Sequence, residues 1–206
     1  LQLQKLTSKH FNYHLKQLVD ANFITKENTN YYLTNFGKDY VSKLDERNME
    51  LEKQPKLSVA LIITRINGAR KEFLVTKRLK QPYYGKVGGF TGKIRFGEAF
   101  EEAARREMLE ETGLTGDFKM AHIHHKLAHT PEDPTQYIQD NLFVVFHVTN
   151  TEGVLTESNQ EQENFWVEEN ELFQRDDLFN TFPEIVKYAQ EADGKISEGV
   201  IEETGF

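Results

Sequence analysis

From Ala99 to Thr112 the chain reads Ala-Phe-Glu-Glu-Ala-Ala-Arg-Arg-Glu-Met-Leu-Glu-Glu-Thr, free of Gly and Pro, and then meets Gly113. Strong helix formers dominate this run, so it predicts a helix that Gly113 ends. At 3.6 residues per turn, Glu107, Glu110 and Glu111 fall at i, i+3 and i+4 and share one face. Each like-charge pair costs about 0.2–0.5 kcal/mol, and no lysine stands one turn away to relieve it. A divalent cation is the natural counter-charge, and ligands that are all oxygen favour Mg2+ or Mn2+ over zinc. The plainer alternative is a solvated acidic helix face.

Gly85, Gly88, Gly89, Gly92 and Gly97 cluster just before this helix. They predict a flexible loop that comes close to a ligand and offers backbone N–H groups to phosphate oxygens, with Gly92 a candidate substrate contact. Residues 92 to 114 as a whole resemble the signature of the Nudix hydrolases, Gly-x5-Glu-x7-Arg-Glu-U-x-Glu-Glu-x-Gly-U, where U is a bulky aliphatic residue. Gly92, Glu98, Arg106, Glu107, Glu110, Glu111 and Gly113 match its fixed positions, and Met108 and Leu114 fill the aliphatic ones. Just upstream, where many relatives carry Pro-Gly-Gly, this chain has Val87-Gly88-Gly89-Phe90-Thr91-Gly92. That departure bears on substrate class more than on metal binding.

The resemblance implies an α/β fold, an α/β/α sandwich around a mixed sheet over residues 57 to about 194. It also implies Mg2+-dependent cleavage of the diphosphate linkage in a nucleoside diphosphate derivative, with Mn2+ as an alternative ion. Glu107, Glu110 and Glu111, with Glu98 as a further ligand, would hold the metal, and Arg106 would orient the glutamates through an ion pair. Either Glu111 or Glu163 would be the general base, Glu163 because relatives place a metal-facing glutamate shortly before an aromatic strand such as Phe165-Trp166-Val167. Glu161 is the next match. ADP-ribose or a nucleotide sugar leads among substrates, with Pro131 near the position of a proline in some ADP-ribose hydrolases.

Other residues carry signals of their own. Arg78, Lys80 and Lys86 surround Tyr83-Tyr84, so Arg78 is a candidate for phosphate and Tyr84 for stacking on a base, although both could instead cover a sheet edge. His122, His124, His125 and His129 invite a zinc reading, but strand alternation puts the first two on one face and the others on the opposite one, which favours ordinary strand histidines. Leu57 to Ile66 and Glu72 to Arg78 predict a hairpin turning at Asn67-Gly68. Phe118 to His129 and Asn141 to Val148 predict strands separated by a loop with Pro131 and Pro134, and a late helix runs from about Pro183 to Glu191. Ile201-Glu202-Glu203-Thr204-Gly205 echoes the signature helix but reads as coincidence in an acidic tail.

Charge divides the chain. Residues 1 to 56 hold nine Lys/Arg against seven Asp/Glu, while residues 57 to 206 hold sixteen against twenty-six. Two domains are therefore expected, 1–54 and 55–206. The acidic second one argues against broad nucleic-acid binding there. The absence of cysteine excludes disulfides and thiolate metal sites. No signal peptide or membrane-length apolar run is visible, so a cytoplasmic protein is expected.

In the first domain, Ser8 to Ala21 predicts a helix, Phe23-Ile24 and Tyr31-Tyr32-Leu33 a hairpin, and Lys38 to Glu52 a second helix. This order resembles the C-terminal part of a winged helix-turn-helix module, a small α+β unit without its first helices. The alternative is an amphipathic arm packing on the catalytic domain. If the module binds DNA through Lys9, Asn12 and Lys16, the chain is instead a metabolite-sensing transcriptional regulator. Phe11, Leu15, Leu18, Tyr40 and Leu44 need covering, and a homodimer is the expected way to do it.

Overall fold

The computed structural model describes residues 8–45, 47–191 and 196–202, the last of these as backbone only. The chain divides into two compact units, Leu1–Gln54 and Pro55–Phe206. In the first, helix α1 (Ser8–Asp20) leads to an antiparallel hairpin of β1 (Ile24–Glu27) and β2 (Asn30–Leu33), followed by helix α2 (Asn35–Val41). Helix α2 starts earlier and stops sooner than the run Lys38 to Glu52 suggested. Thr34 caps it by accepting the Gly37 N–H at 3.0 Å. Past Ser42, the side chain of Asp45 accepts the Arg47 N–H at 2.7 Å and that of Asn48 accepts the Glu50 N–H at 3.0 Å. Those local bonds compete with the helix and reverse the chain, so that Leu44 bridges Leu51.

The second unit is built on one mixed eight-stranded sheet. Its strands are β3 (Lys56–Asn67), β4 (Arg70–Arg78), β5 (Val87–Gly88), β6 (Phe90–Lys93), β7 (Leu114–Thr130), β8 (Asp133–Gly153), β9 (Gln162–Glu168) and β10 (Ile196–Glu202). The order is β10-β7-β8-β3-β4-β5, with β6 pairing β3 and β9 pairing β4. Central β3 lies parallel to β8 and antiparallel to β4 and β6. Helix α3 (Phe100–Thr112) covers one face; a short helix α4 (Glu169–Leu172) and α5 (Phe182–Glu191) cover the other.

The two-residue period of β3 feeds both layers. Val59, Leu61 and Ile63 pack with Ala103, Ala104 and Met108 of α3, while Ala60 and Ile62 pack with Phe182, Ile185 and Val186 of α5. Burying each larger aliphatic side chain contributes about 1.5–3 kcal/mol. Ala103 and Ala104, both fully buried, let α3 approach the sheet closely, which fixes where its acidic face stands.

Three expectations change. The glycine-rich stretch is not one continuous loop: residues 90 to 93 pair with β3 from Leu61 to Ser58, and Val87-Gly88 pairs with β4. Gly85 and Gly97 stand outside these strands, in turns at positive φ. Second, residues 133 to 140 belong to β8, which leaves Pro131 and Glu132 as the turn of a long hairpin. Pro134 fits because the register slips between His129↔Tyr137 and Thr130↔Asp133, leaving it opposite no partner whose ladder bond it would break. Third, residues 196–202 of the expected tail form a strand parallel to β7; Glu203 to Gly205 lie outside the described residues. Among the described residues, no helix is long and apolar enough to cross a membrane.

Candidate active site

The turn ahead of α3 is held by one carboxylate and one guanidinium. Glu98 accepts the backbone N–H of Arg95 at 2.9 Å and receives two bonds from Arg106, at 2.7 and 2.8 Å. Arg106 also reaches Glu107 at 2.5 Å, Glu110 at 3.3 Å and the Lys93 carbonyl at 3.1 Å. These bonds hold the Glu98 carboxyl down to about 2, chiefly through the Arg106 hydrogen bond and then through the Arg95 N–H. Hydrogen bonds to Glu98 and then Glu107 raise the Arg106 pKa further above its ordinary value. The Glu102 side chain accepts the Ala99 N–H at 3.0 Å and so secures the first turn of α3. At its other end Gly113 adopts φ 72°, and its N–H returns to the Leu109 carbonyl.

Gly92 meets this network from β6. A Cβ there would stand 1.9 Å from the Glu107 carboxyl carbon, so the glycine makes room for the glutamate to lie against the strand.

Glu111 behaves differently. Its carboxyl is pushed up to about 7, first by burial and then by the charge of Glu107, with Glu110 and Glu161 adding to the rise and Lys80 opposing it. It lines a cleft with Thr76, Arg78, Lys80, Thr91 and Glu161. Lys80 and Glu161 form an ion pair joining residues distant in sequence, and Lys80 holds the Glu161 pKa below its usual range. Arg78 binds the carbonyls of Lys80 and Pro82 through Nε and thereby shapes the loop ahead of Tyr83 and Tyr84. Tyr84 itself is exposed, whereas Tyr83 accepts a bond from Gln139 at 2.8 Å and meets Phe179 edge-on. Phe179, Gly89, Phe90 and Thr91 also border an adjoining apolar pocket lined by Ile62, Phe143, Phe182 and Ile185.

Glu163 stands apart from this group. On β9, Phe165 and Val167 pack with the α5 layer and Trp166 with the α3 layer. The two-residue period sends Glu163 toward the α5 side, and the carboxylate that acts on Glu111 from this region is Glu161. The neighbours of Glu163 in sequence do face α3. Asn164, almost fully buried, donates to the Glu111 carbonyl at 2.8 Å and the Thr156 carbonyl at 2.9 Å, while Gln162 reaches the Glu111 carbonyl at 3.4 Å. Sequence reasoning missed Asn164 and Arg95; a polar residue at an inward position of an aromatic strand was the available signal for the former.

The histidines do not converge. His122 and His124 are buried beside Tyr188, and His125 pairs with Asp140 at 2.9 Å. Among the described residues no three His, Asp or Glu side chains form a ready-made ion cluster. On α3, arginine holds Glu107 and Glu110 instead. The donors there nevertheless suit a hard divalent cation: all are carboxylates, and Glu111, raised first by burial and then by the charge of Glu107, would gain from one.

A model of the NUDIX domain family matches residues 55–188. Over 33 residues the chain is 64% identical to the oxidized purine nucleoside triphosphate hydrolase of Danio rerio, covering 16% of this chain and 21% of that protein. Over 78 residues it is 37% identical to the enzyme of that name from Mus musculus, covering 37% and 46%. The matched segments thus span less than half the length of either curated relative. Among solved structures, the NUDIX domain of Shewanella oneidensis NrtR complexed with ADP ribose superposes with a TM-score of 0.58 at 15% identity, covering 77% of this chain and 98% of that one. The MutT protein of Bacillus halodurans gives 0.56 at 18% identity, covering 72% and 90%. At these identities the two structures show the fold.

The raised Glu111 pKa has a direct consequence for stability without divalent cations. Because the folded value lies above the unfolded one, Glu111 binds more protons in the folded state between pH 4.5 and 7, and stability falls as pH rises through that window. Thermal melts in a metal chelator should show Glu111→Gln more stable than the wild type at pH 8, with the gap closing by pH 5. Parallel melting curves at both pH values would contradict the assignment.

Proposed function

The chain belongs to the NUDIX domain family, and from that premise we propose that it is a magnesium-dependent pyrophosphohydrolase. Its substrate on this reading is a nucleoside diphosphate derivative. One observation carries the reading: Glu111, beside Glu107 and Glu110, lines the same cleft as the basic side chains of Arg78 and Lys80. A diphosphate needs both kinds of group at once, cations for its oxygens and a base for the attacking water. Glu107, Glu110 and Glu111, with Glu98 behind them, would hold Mg2+, with Mn2+ as a substitute. The bound ion would supply neutralisation of phosphate charge and a more acidic water.

The side chains divide the remaining work. Lys80 and Arg78 meet the phosphate oxygens. Glu111, lining the cleft beside Lys80, takes a proton from the attacking water, with Glu161 as the neighbouring alternative. The water oxygen bonds to phosphorus, the anhydride P–O bond breaks, and the leaving phosphate keeps the electron pair. Arg106 orients Glu98, Glu107 and Glu110 without touching substrate. The adjoining pocket, with Phe143, Phe179 and Phe182, suits an aromatic base. Tyr84 lies exposed on the loop beyond Arg78 and Lys80, available to cover a bound nucleotide.

Of the similar proteins, two are hydrolases of an oxidized purine nucleoside triphosphate and one was solved in complex with ADP-ribose. Both are purine nucleotides with a phosphoanhydride. A panel containing both, together with nucleotide sugars, tests the reading by phosphate release with and without a helper phosphatase. Mg2+-dependent turnover of at least one member is expected, with Glu110→Gln and Glu111→Gln each lowering it by about 10²-fold or more. Full activity in both variants would refute the mechanism.

A specific observation favours a second activity in the first unit. No residue of α1 is buried, and Lys9, Asn12 and Lys16 share one face at i, i+3 and i+7, as a DNA-reading helix would present them. Another stripe, Phe11, Leu15 and Leu18, is apolar, with Phe11 and Leu18 exposed, and would suit a homodimer. Sedimentation with a labelled duplex library, at low and high salt, should give a dimer with salt-sensitive DNA binding. A monomer indifferent to DNA would remove this second reading.

A further inference from the structure

Glu110 is the most exposed of the carboxylates that Arg106 touches, and two arginines divide it. Arg106 reaches Oε2 at 3.3 Å and Arg95 reaches Oε1 at 3.3 Å. Both bonds are long, and Glu110 keeps about half of its side-chain surface in solvent. By contrast Glu98 and Glu107, held by the same Arg106 at 2.5–2.8 Å, are mostly covered. The acidic face therefore has a firm end and a loose end, and Arg95 sits at the loose one.

The attachment of Arg95 separates its backbone from its side chain. Its N–H is tied to Glu98, and its carbonyl accepts the Glu98 N–H at 3.0 Å, so the turn from Arg95 to Glu98 closes on itself. The side chain is 63% exposed, and its guanidinium can leave Glu110 without disturbing that turn. Position 95 also lies among the variable residues between Gly92 and Glu98, so nothing in the common signature requires an arginine there.

We propose that Arg95 is a positioning residue that occupies Glu110 in competition with the divalent cation and so sets the cation concentration at which the site fills. The inference rests on the reading of α3 as a magnesium site. A guanidinium on Oε1 occupies one of that oxygen's acceptor sites and places a positive charge beside any cation that Glu110 would bind. Binding the ion therefore works against the Arg95–Glu110 pair, and its apparent affinity is lowered by up to the strength of that pair. Exposed pairs of this kind are weak, so the competition amounts to about 1.5- to 5-fold in the dissociation constant.

Magnesium titration of the full-length protein by calorimetry tests this, with four proteins compared. Wild type should bind Mg2+ and Glu110→Gln should bind it much more weakly; failure of either overturns the magnesium site and the competition with it. Given that site, Arg95→Gln should bind Mg2+ more tightly than wild type, by about 1.5- to 5-fold. Arg105→Gln removes the same charge from α3, where Arg105 pairs with Glu101 and not with Glu110, and should leave the constant within about 1.5-fold. An unchanged or weaker constant in Arg95→Gln, or an equal tightening in Arg105→Gln, would overturn the proposal while leaving the magnesium site intact.

Discussion

The arrangement of this site depends on one guanidinium. Arg106 bonds Glu98 twice, Glu107 once, Glu110 once and the Lys93 carbonyl once, joining the turn ahead of α3, two positions on the helix and the end of β6. An ammonium on a lysine stem could not reproduce it, because the planar fork of arginine offers donors in several fixed directions at once. Arg106 is mostly covered, so its pairs are screened less than a surface ion pair would be. The result is an acidic helix face whose repulsion is contained on one side by arginine and only partly offset at Glu111 by Lys80.

That face points usefully because the fold leaves α3 little freedom. Two fully buried alanines and Met108 seat the helix on Val59, Leu61 and Ile63, and Gly92 gives Glu107 a bare stretch of strand to lie against. At the C-terminal end, Asn164 and Gln162 reach across from β9 to the Glu111 carbonyl. Backbone position and side-chain ionisation at Glu111 are thus set by different elements: β9 holds the main chain, and the cleft with Lys80 sets the surroundings of the carboxyl. The positive groups of the cleft, Arg78 and Lys80, come from the end of β4 and the loop that follows it, so the sheet brings opposite charges together from separate parts of the chain.

Much of this was legible in the sequence. The helix from 100 to 112 follows from unbroken propensity ended by Gly113, and β3 from an apolar run that serves two layers. The association of Glu98 with Arg106 and Glu107 followed from the resemblance of residues 92 to 114 to a known signature. Other features were hidden because they depend on phase or on distant partners. Glu163 and Asn164 differ by one place, and a one-residue change of strand phase exchanges the faces they serve. Pro134 looks like a loop residue until the register slip beside it is known. Arg95 carries no signal of its own, since only the folded turn brings it to Glu110.

The most direct measurement of the central claim is the cation-dependent turnover of Arg106→Lys, which keeps the charge and removes the fork. If the fork organises the carboxylates, turnover at fixed Mg2+ should fall by about 10- to 100-fold while cooperative thermal unfolding is retained. Turnover equal to wild type in a folded variant would show that the charge alone suffices, and would contradict the account.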